Sequence, residues 1–162
     1  MVNTDNIRST VVGNLTKHLG HPIVRSNQTA KMPAFPFGRY AITTPMTENN
    51  GTYGEYEDDV ARKAVKQIWS FTFESDKFEE ALNLANKARS WMDYTGTTIL
   101  NDNGVIVEKV GAVGDRGNLL TVDYEYMFGF DVTFWAYDEI EMPEAEVIER
   151  VELNDGEVVG NG

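Results

Sequence analysis

The chain has 162 residues, with 26 acidic and 14 basic side chains, a formal net charge of −12 and no cysteine. This length predicts one domain, and the charge argues against a generic nucleic-acid-binding protein, because affinity for phosphates comes from Lys and Arg. The missing cysteines exclude disulfides, thiolate metal sites and cysteine nucleophiles.

The acidic excess lies in two segments. Residues 138–157 carry nine acids against Arg150. The second segment holds four acids within five residues: Glu55, Glu57, Asp58 and Asp59. Residues 6–47 contain five basic side chains and no acid. A basic front and an acidic tail predict head-to-tail pairing between copies of the chain.

The first predicted element is an amphipathic helix that follows a cap at Asn3, Thr4 or Asp5 and stops at Gly20. Its apolar residues recur at i, i+4 intervals: Ile7, Val11, Leu15 and Leu19. Residues 21–38 hold three prolines and predict irregular chain with at most a short extended piece at 23–25. A strand is expected at about 38–46 and a polar, acidic loop at 47–59, of a length that usually serves a function.

From Val60 the hydrophobic period changes to two, which predicts a long antiparallel strand with one wet side. A second helix is expected after Ser75 or Asp76, because Asp76 and Glu79 have capping-box spacing. The apolar stripe of this helix starts at Phe78, and the helix is expected to end at Gly96.

Residues 97–113 predict a strand, a turn at 101–104 and a second strand. The clearest alternation is at residues 122–136, which is long for one strand and predicts a bulge or bend at Gly129. Trp135 and Tyr137 point away from the face that carries the other aromatic residues of this strand. An exposed Trp and Tyr on the second face of the sheet predict a partner surface.

Together these elements predict an α+β fold: a two-layer arrangement in which an antiparallel-dominated sheet of four to five strands packs against two helices. Residues 1–138 form the predicted domain, and residues 139–162 an acidic C-terminal arm or hairpin with a disordered end. The start lacks the features of a signal peptide, and no stretch is apolar enough to span a membrane, so a soluble protein is expected.

No motif predicts an enzyme, a cofactor or a metal site. His18 and His21 flank Gly20, which breaks the helical spacing that metal ligation would use. The glycines of residues 111–117 lack the Gly-Lys-Ser/Thr ending of a phosphate loop. Residues 101–104 begin like a calcium loop, but the twelfth position is Ala112 instead of Glu.

The order of elements resembles the neck or tail terminator proteins of long-tailed bacteriophages. The resemblance rests on the Pro/Phe-rich link at 32–37, the Arg39-Tyr40 strand, Phe71-Thr72-Phe73 and Trp91-Met92. The last landmark is the stretch at 122–134, and its most specific part is Tyr-Glu-Tyr-x-x-Gly-Phe-Asp-Val-x-Phe at 124–134. Residues 138–162 carry no matching motif.

The resemblance implies a virion protein, assembled in the host cytoplasm, that forms a ring, usually a hexamer. Such a ring caps the tail tube, stops its polymerisation and meets the head-completion proteins, while DNA passes through without specific binding. The residues expected at subunit or partner interfaces are Arg8, Arg25, Arg39, Glu55, Glu57, Asp58, Asp59, Trp135 and Tyr137. If acids line the channel, they would repel DNA phosphates.

Three alternatives remain open from the sequence. The first is another virion part of related fold, either a head–tail connector or a tail tube subunit. The second is a metal-dependent enzyme built on carboxylates. The third is an adaptor that binds a basic partner through its acidic tail.

Overall fold

The computed structural model describes residues 1–47, 52–57, 59–117 and 125–143, with Tyr56 described by its backbone alone. The three α-helices are α1 (Thr4–Leu19), α2 (Phe78–Ser90) and α3 (Thr97–Asp102), and a π-helical turn at Trp91–Thr95 joins the last two. The strands are β1 (Ile23–Arg25), β2 (Phe37–Thr44), β3 (Gly54–Glu57), β4 (Val60–Ser75), β5 (Ile106–Val110), β6 (Gly114–Asp115) and β7 (Tyr126–Glu141).

All seven strands belong to one sheet, in the order β1-β2-β4-β7-β5, with β3 added to β4 and β6 added to β7. Among the strands that the structure describes, only the β1–β2 pair is parallel. The mixed α+β class is therefore confirmed, whereas the described strands and helices outnumber the predicted four to five strands and two helices. The additional strands include β3 and β6, which are too short to show a hydrophobic period of two, whereas β1 coincides with the predicted extended piece.

The core lies on one face of the sheet. Alternate residues of β4 and β7 share this face, and the register sets Phe71 opposite Phe130, with their rings stacked 5.9 Å apart. The buried stripes of α1 and α2 belong to the same hydrophobic cluster. We call this the helix face and the opposite side of the sheet the open face. The aromatic residues of β4 and β7 on the helix face are part of this core.

Helix α1 begins and ends as predicted. The Asn3 side chain accepts a hydrogen bond from the Asn6 backbone N–H and so caps the N-terminus. Gly20 adopts a left-handed conformation at φ 73°, and its N–H donates to the Thr16 carbonyl. The four residues of the predicted stripe are all buried.

Helix α2 lacks the predicted capping box. Its N-cap is Lys77, which makes no side-chain cap hydrogen bond. The Ser75 hydroxyl instead accepts from the Lys77 N–H at 3.1 Å and donates to the Glu80 carboxylate at 2.7 Å. The helix therefore starts two residues later than Asp76, and Phe78 is 48% exposed instead of buried.

The strand predicted at 97–100 is wrong, because these residues start α3. Gly96 lies so close to the Trp91 indole that a Cβ there would stand 2.2 Å from the ring. Leu100 is buried on the next turn, whereas Ile99 stays exposed. A short apolar run fits a helix and a strand equally well from its periodicity.

The bulge predicted at Gly129 is absent from the pairing of β4 with β7, which stay in register over all sixteen pairs. A Cβ at Gly129 would lie 2.2 Å from the Phe71 carbonyl oxygen and 2.9 Å from Cδ of Arg116. Glycine is required here because another side chain crosses the strand. β7 continues to Glu141, past the predicted domain boundary at residue 138, and the rest of the predicted arm, 144–162, lies outside the described residues.

Candidate functional site

The two long central strands give the molecule two distant ends. At one end Val60 pairs with Glu141, and at the other Ser75 pairs with Tyr126. Each strand has 16 residues, so the two ends lie about 50 Å apart at the usual rise per residue. We call the first the acidic end and the second the aromatic end, after the side chains described below.

The acidic end brings together the beginnings of both acidic segments. Glu55 and Glu57 lie on β3, which pairs with the start of β4. Asp59 occupies the turn between these strands at φ 63°. The end of β7 adds two further exposed acids, Glu139 and Glu141. Asp58, the fourth predicted acid of the run, lies outside the described residues.

One acid of this end, Asp138, is buried on the helix face. Its carboxylate lies 2.8 Å from the Met1 ammonium group and accepts a hydrogen bond from the Tyr53 hydroxyl. The hydrogen bond from the ammonium group is the main cause that lowers the pKa of Asp138, and the Tyr53 hydroxyl acts in the same direction. The same contact raises the pKa of Tyr53. Asp138 thus belongs to the structure of this end and not to its surface.

The open face carries Trp135 and Tyr137, as the alternation predicted. The Arg62 guanidinium lies 3.2 Å from the Tyr137 ring centroid, and the Lys66 ammonium lies 4.8 Å from the Trp135 ring centroid. Lys66 also forms an ion pair with Glu108 at 2.7 Å. Both aromatic rings are therefore covered in part by cations of β4.

Arg116 was missed by the sequence analysis. Its guanidinium lies across the open face and donates to the Ser70 and Thr72 hydroxyls, and it forms an ion pair with Asp131 at 3.0 Å. The space that Gly129 leaves admits its aliphatic stem. Through these contacts Arg116 holds β6, which directly precedes it, against β4 and β7.

Arg39 and Glu74 form an ion pair near the aromatic end, with 2.7 Å between Nε and Oε2. Glu74 is buried, and desolvation raises the pKa of its carboxyl; the charge of Glu125 adds to this, and Arg39 opposes it. The charge of Arg39, one of the predicted interface residues, is thus engaged within the chain.

The remaining predicted cations lie on separate elements. Arg8 is exposed on α1 and pairs with Asp5 at 3.0 Å. Arg25 is exposed at the end of β1, the strand at one edge of the sheet. The basic segment at 6–47 therefore spans α1, β1 and β2 and does not form a single element.

The aromatic end carries an open groove of about 660 Å³ between the end of α1 and the start of α2. The half-exposed Phe78 ring stands at its wall and packs edge-to-face on Tyr126, with 5.6 Å between the ring centroids. Leu19, Pro36 and Leu84 are among the other apolar lining residues.

Within the part of the chain that the structure describes, no three acidic or histidine side chains group closely enough to hold a metal ion. His18 stacks on Trp91, with ring centroids 6.2 Å apart. No helix among the described residues is long and apolar enough to cross a membrane.

The family model that describes phage neck terminator proteins matches residues 5–162. The chain belongs to this family. It is a structural component of the phage virion at the tail and neck. The family match extends into residues 138–162, where the sequence analysis had found no motif.

No curated protein matches the chain significantly. One solved structure, whose title describes no function, aligns with 13% identity and a TM-score of 0.37 over 88% of this chain and 99% of that one. A similarity at this level adds nothing on fold or function.

Proposed function

We propose that the chain forms a homo-oligomeric ring, a hexamer, that caps the tail tube, stops its polymerisation and joins the tail to the head-completion protein. The observation that carries this proposal is membership of the phage neck terminator family over nearly the whole chain. The proposed partners are other copies of the chain, the tail tube protein and the head-completion protein.

The division of the molecule into two unlike ends supports a ring. A closed ring is built from heterologous contacts, in which one patch meets a different patch on the next copy. The acidic end and the aromatic end are two such patches, at opposite ends of one rigid sheet. An isologous dimer would instead need a surface that is complementary to itself.

We further propose that those acids of the acidic end that the next copy leaves uncovered face the path of the DNA. Glu55, Glu57 and Asp59 are exposed there and would repel phosphates, so that DNA slides past without being held. A structure of the assembled ring tests this directly. A channel rimmed by Arg and Lys would contradict it.

The capping activity is tested by adding the purified protein to tail tube protein of the same phage during polymerisation. We expect shorter tubes with one ring at an end, seen by electron microscopy. Tubes of unchanged length with bare ends would contradict the proposal. Open tubes made by the chain itself would favour the alternative of a tube subunit.

A further inference from the structure

The turn between α3 and β5 contains an Asn-Gly pair, Asn103-Gly104. Both residues are exposed. Gly104 lies at φ 77°, and a Cβ at this position would meet no atom of the described residues within 4 Å. The backbone nitrogen that follows the asparagine is therefore open to water and is not shielded by a side chain of its own residue.

Two hydrogen bonds hold the asparagine amide and the glycine nitrogen in the folded turn. Nδ2 of Asn103 donates to the Ile99 carbonyl at 2.8 Å, and the Gly104 N–H donates to the Asn101 carbonyl at 3.0 Å. Both acceptors belong to α3, which has only six residues. The last turn of so short a helix opens at little cost in free energy. Opening frees both groups at once.

We propose that Asn103 is a site of spontaneous deamidation. In the opened turn the Gly104 backbone nitrogen gives its proton to hydroxide and attacks Cγ of Asn103. The Nδ2 group takes up a proton from water and leaves as ammonia, so that a succinimide ring joins the two residues. A second water molecule opens the ring at one of its two carbonyl carbons. The product is aspartate or isoaspartate, in which the main chain runs through the side-chain carboxyl carbon.

Either product weakens the end of α3, because Asn103 is the C-cap of this helix. The new carboxylate carries a negative charge at a helix C-terminus, where the helix dipole disfavours it, and the donor to the Ile99 carbonyl is lost. Isoaspartate also lengthens the main chain by one carbon atom shortly before Val105, which is fully buried. The connection from α3 to β5 therefore loosens as the protein ages.

The modified turn lies beside two residues that the sequence analysis assigned to a partner surface. Gly104 lines a pocket of about 210 Å³ together with Asn3, Trp135 and Tyr137. Deamidation adds a negative charge next to this pocket, so an aged chain presents a different charge there from a newly made one. The reaction itself does not depend on the ring proposed above.

Peptide mapping by mass spectrometry tests the reaction in the full-length protein. The folded chain is incubated at mildly alkaline pH beside a sample unfolded in guanidinium chloride, and conversion is read from the mass gained when the amide NH2 is replaced by OH. We expect the folded chain to convert Asn103 no more than tenfold more slowly than the unfolded chain. Conversion should be at least tenfold faster at Asn103 than at Asn101, which is also exposed but precedes Asp102.

Two results would overturn the proposal. A folded chain that converts Asn103 more than tenfold more slowly than the unfolded chain would show that the turn protects the asparagine. Equal rates at Asn101 and Asn103 would show that the reaction does not depend on the unshielded nitrogen of Gly104. Neither result bears on the oligomeric state, which native mass measures separately.

The variant Asn103→Gln is a matched control for the loss of stability. It keeps an amide at the end of α3, but its longer side chain closes a larger ring and reacts far more slowly. The Asn-Gly pairs at 50–51 and 161–162 are present in both proteins, so their conversion does not affect the comparison. After the same incubation the urea midpoint of the wild type should fall, whereas that of Asn103→Gln should stay unchanged. Equal midpoints after conversion of Asn103 would contradict the loosening.

Discussion

The two ends of the central sheet differ in the side chains that they expose. The acidic end gathers exposed carboxylates from β3, the following turn and β7. The aromatic end exposes Phe78 beside charges of both signs, Lys77 and Lys87 together with Asp76 and Glu79. One continuous pair of strands keeps these ends apart, so the molecule presents two different surfaces at its opposite ends. A protein with such polarity is suited to joining one copy to the next.

Each end also buries one carboxylate, and their pKa values shift in opposite directions. Asp138 at the acidic end has a lowered pKa because hydrogen bonds from the Met1 ammonium group and the Tyr53 hydroxyl favour its charged form. Glu74 near the aromatic end has a raised pKa because desolvation outweighs its ion pair with Arg39. A buried carboxylate thus stabilises its end only where its hydrogen bonds exceed the cost of burial.

The largest effect on stability is expected at Gly129, which lies in the strand pair that joins the two ends. Gly129→Ala places a Cβ 2.2 Å from the Phe71 carbonyl, and overpacking of this kind costs about 1–3 kcal/mol of unfolding free energy. The control Gly114→Ala meets no atom within 4 Å. Urea denaturation compares the two, and equal midpoints would show that the β4–β7 ribbon is not held as tightly as described.

The second-largest effect is expected at Asp138, the buried carboxylate of the acidic end. Asp138→Asn is expected to lower the unfolding free energy at neutral pH by about 1–3 kcal/mol, because the charged acceptor of two hydrogen bonds is lost. The folded pKa lies below the ordinary value, so the contribution of Asp138 is present above that value and fades as pH falls through the folded pKa. The difference in unfolding free energy between the two proteins should therefore shrink as the pH falls from 7 to 3. A constant difference would contradict this.

Glu74→Gln should have a smaller effect and the opposite dependence on pH. Because the folded pKa is raised, the charged Glu74 is less stable in the folded state, and its contribution improves as pH falls through that value. We expect a change within about 1 kcal/mol at neutral pH, since a neutral isostere avoids the desolvation cost. On acidification the unfolding free energy of the wild type should rise relative to that of Glu74→Gln. A relative fall would contradict desolvation as the main cause of the raised pKa.

The exposed acids should affect stability least and assembly most. Replacing Glu55, Glu57, Asp58 and Asp59 by alanine is expected to weaken ring assembly or docking. The unfolding free energy should change by less than about 0.5 kcal/mol per residue, except at Asp59, where alanine at φ 63° costs about 1 kcal/mol. The pair Glu55→Ala with Glu57→Ala has a matched control in Asp93→Ala with Asp102→Ala, which removes the same charge from exposed helical positions. Light scattering checks assembly, and equal behaviour of both pairs would count against an interface at this end.

The sequence predicted those parts of the fold that periodicity controls. The stripe of α1 and the alternation of β4 and β7 each bury the expected residues. The π-helical turn and α3 were missed because they depend on packing of Gly96 against Trp91. Arg116 was missed because its partners lie 15 to 46 residues away in sequence, and no local pattern marks such contacts.

The sequence indicated residues of the candidate site, but it did not predict how they are arranged in space. Trp135 and Tyr137 lie on the expected face, and the acids of residues 55–59 were singled out from charge alone. Their meeting with Glu139 and Glu141 depends on the register between β4 and β7, which pairing over long sequence distance decides. The groove could not be predicted, because it requires the packing of α1 against α2.

The native mass of the purified full-length protein tests the central claim most directly. If the two unlike ends join successive copies into a closed ring, sedimentation equilibrium should give the mass of six chains, and electron microscopy should show rings. A single monomeric species at micromolar concentration, with no larger closed particle, would contradict the account.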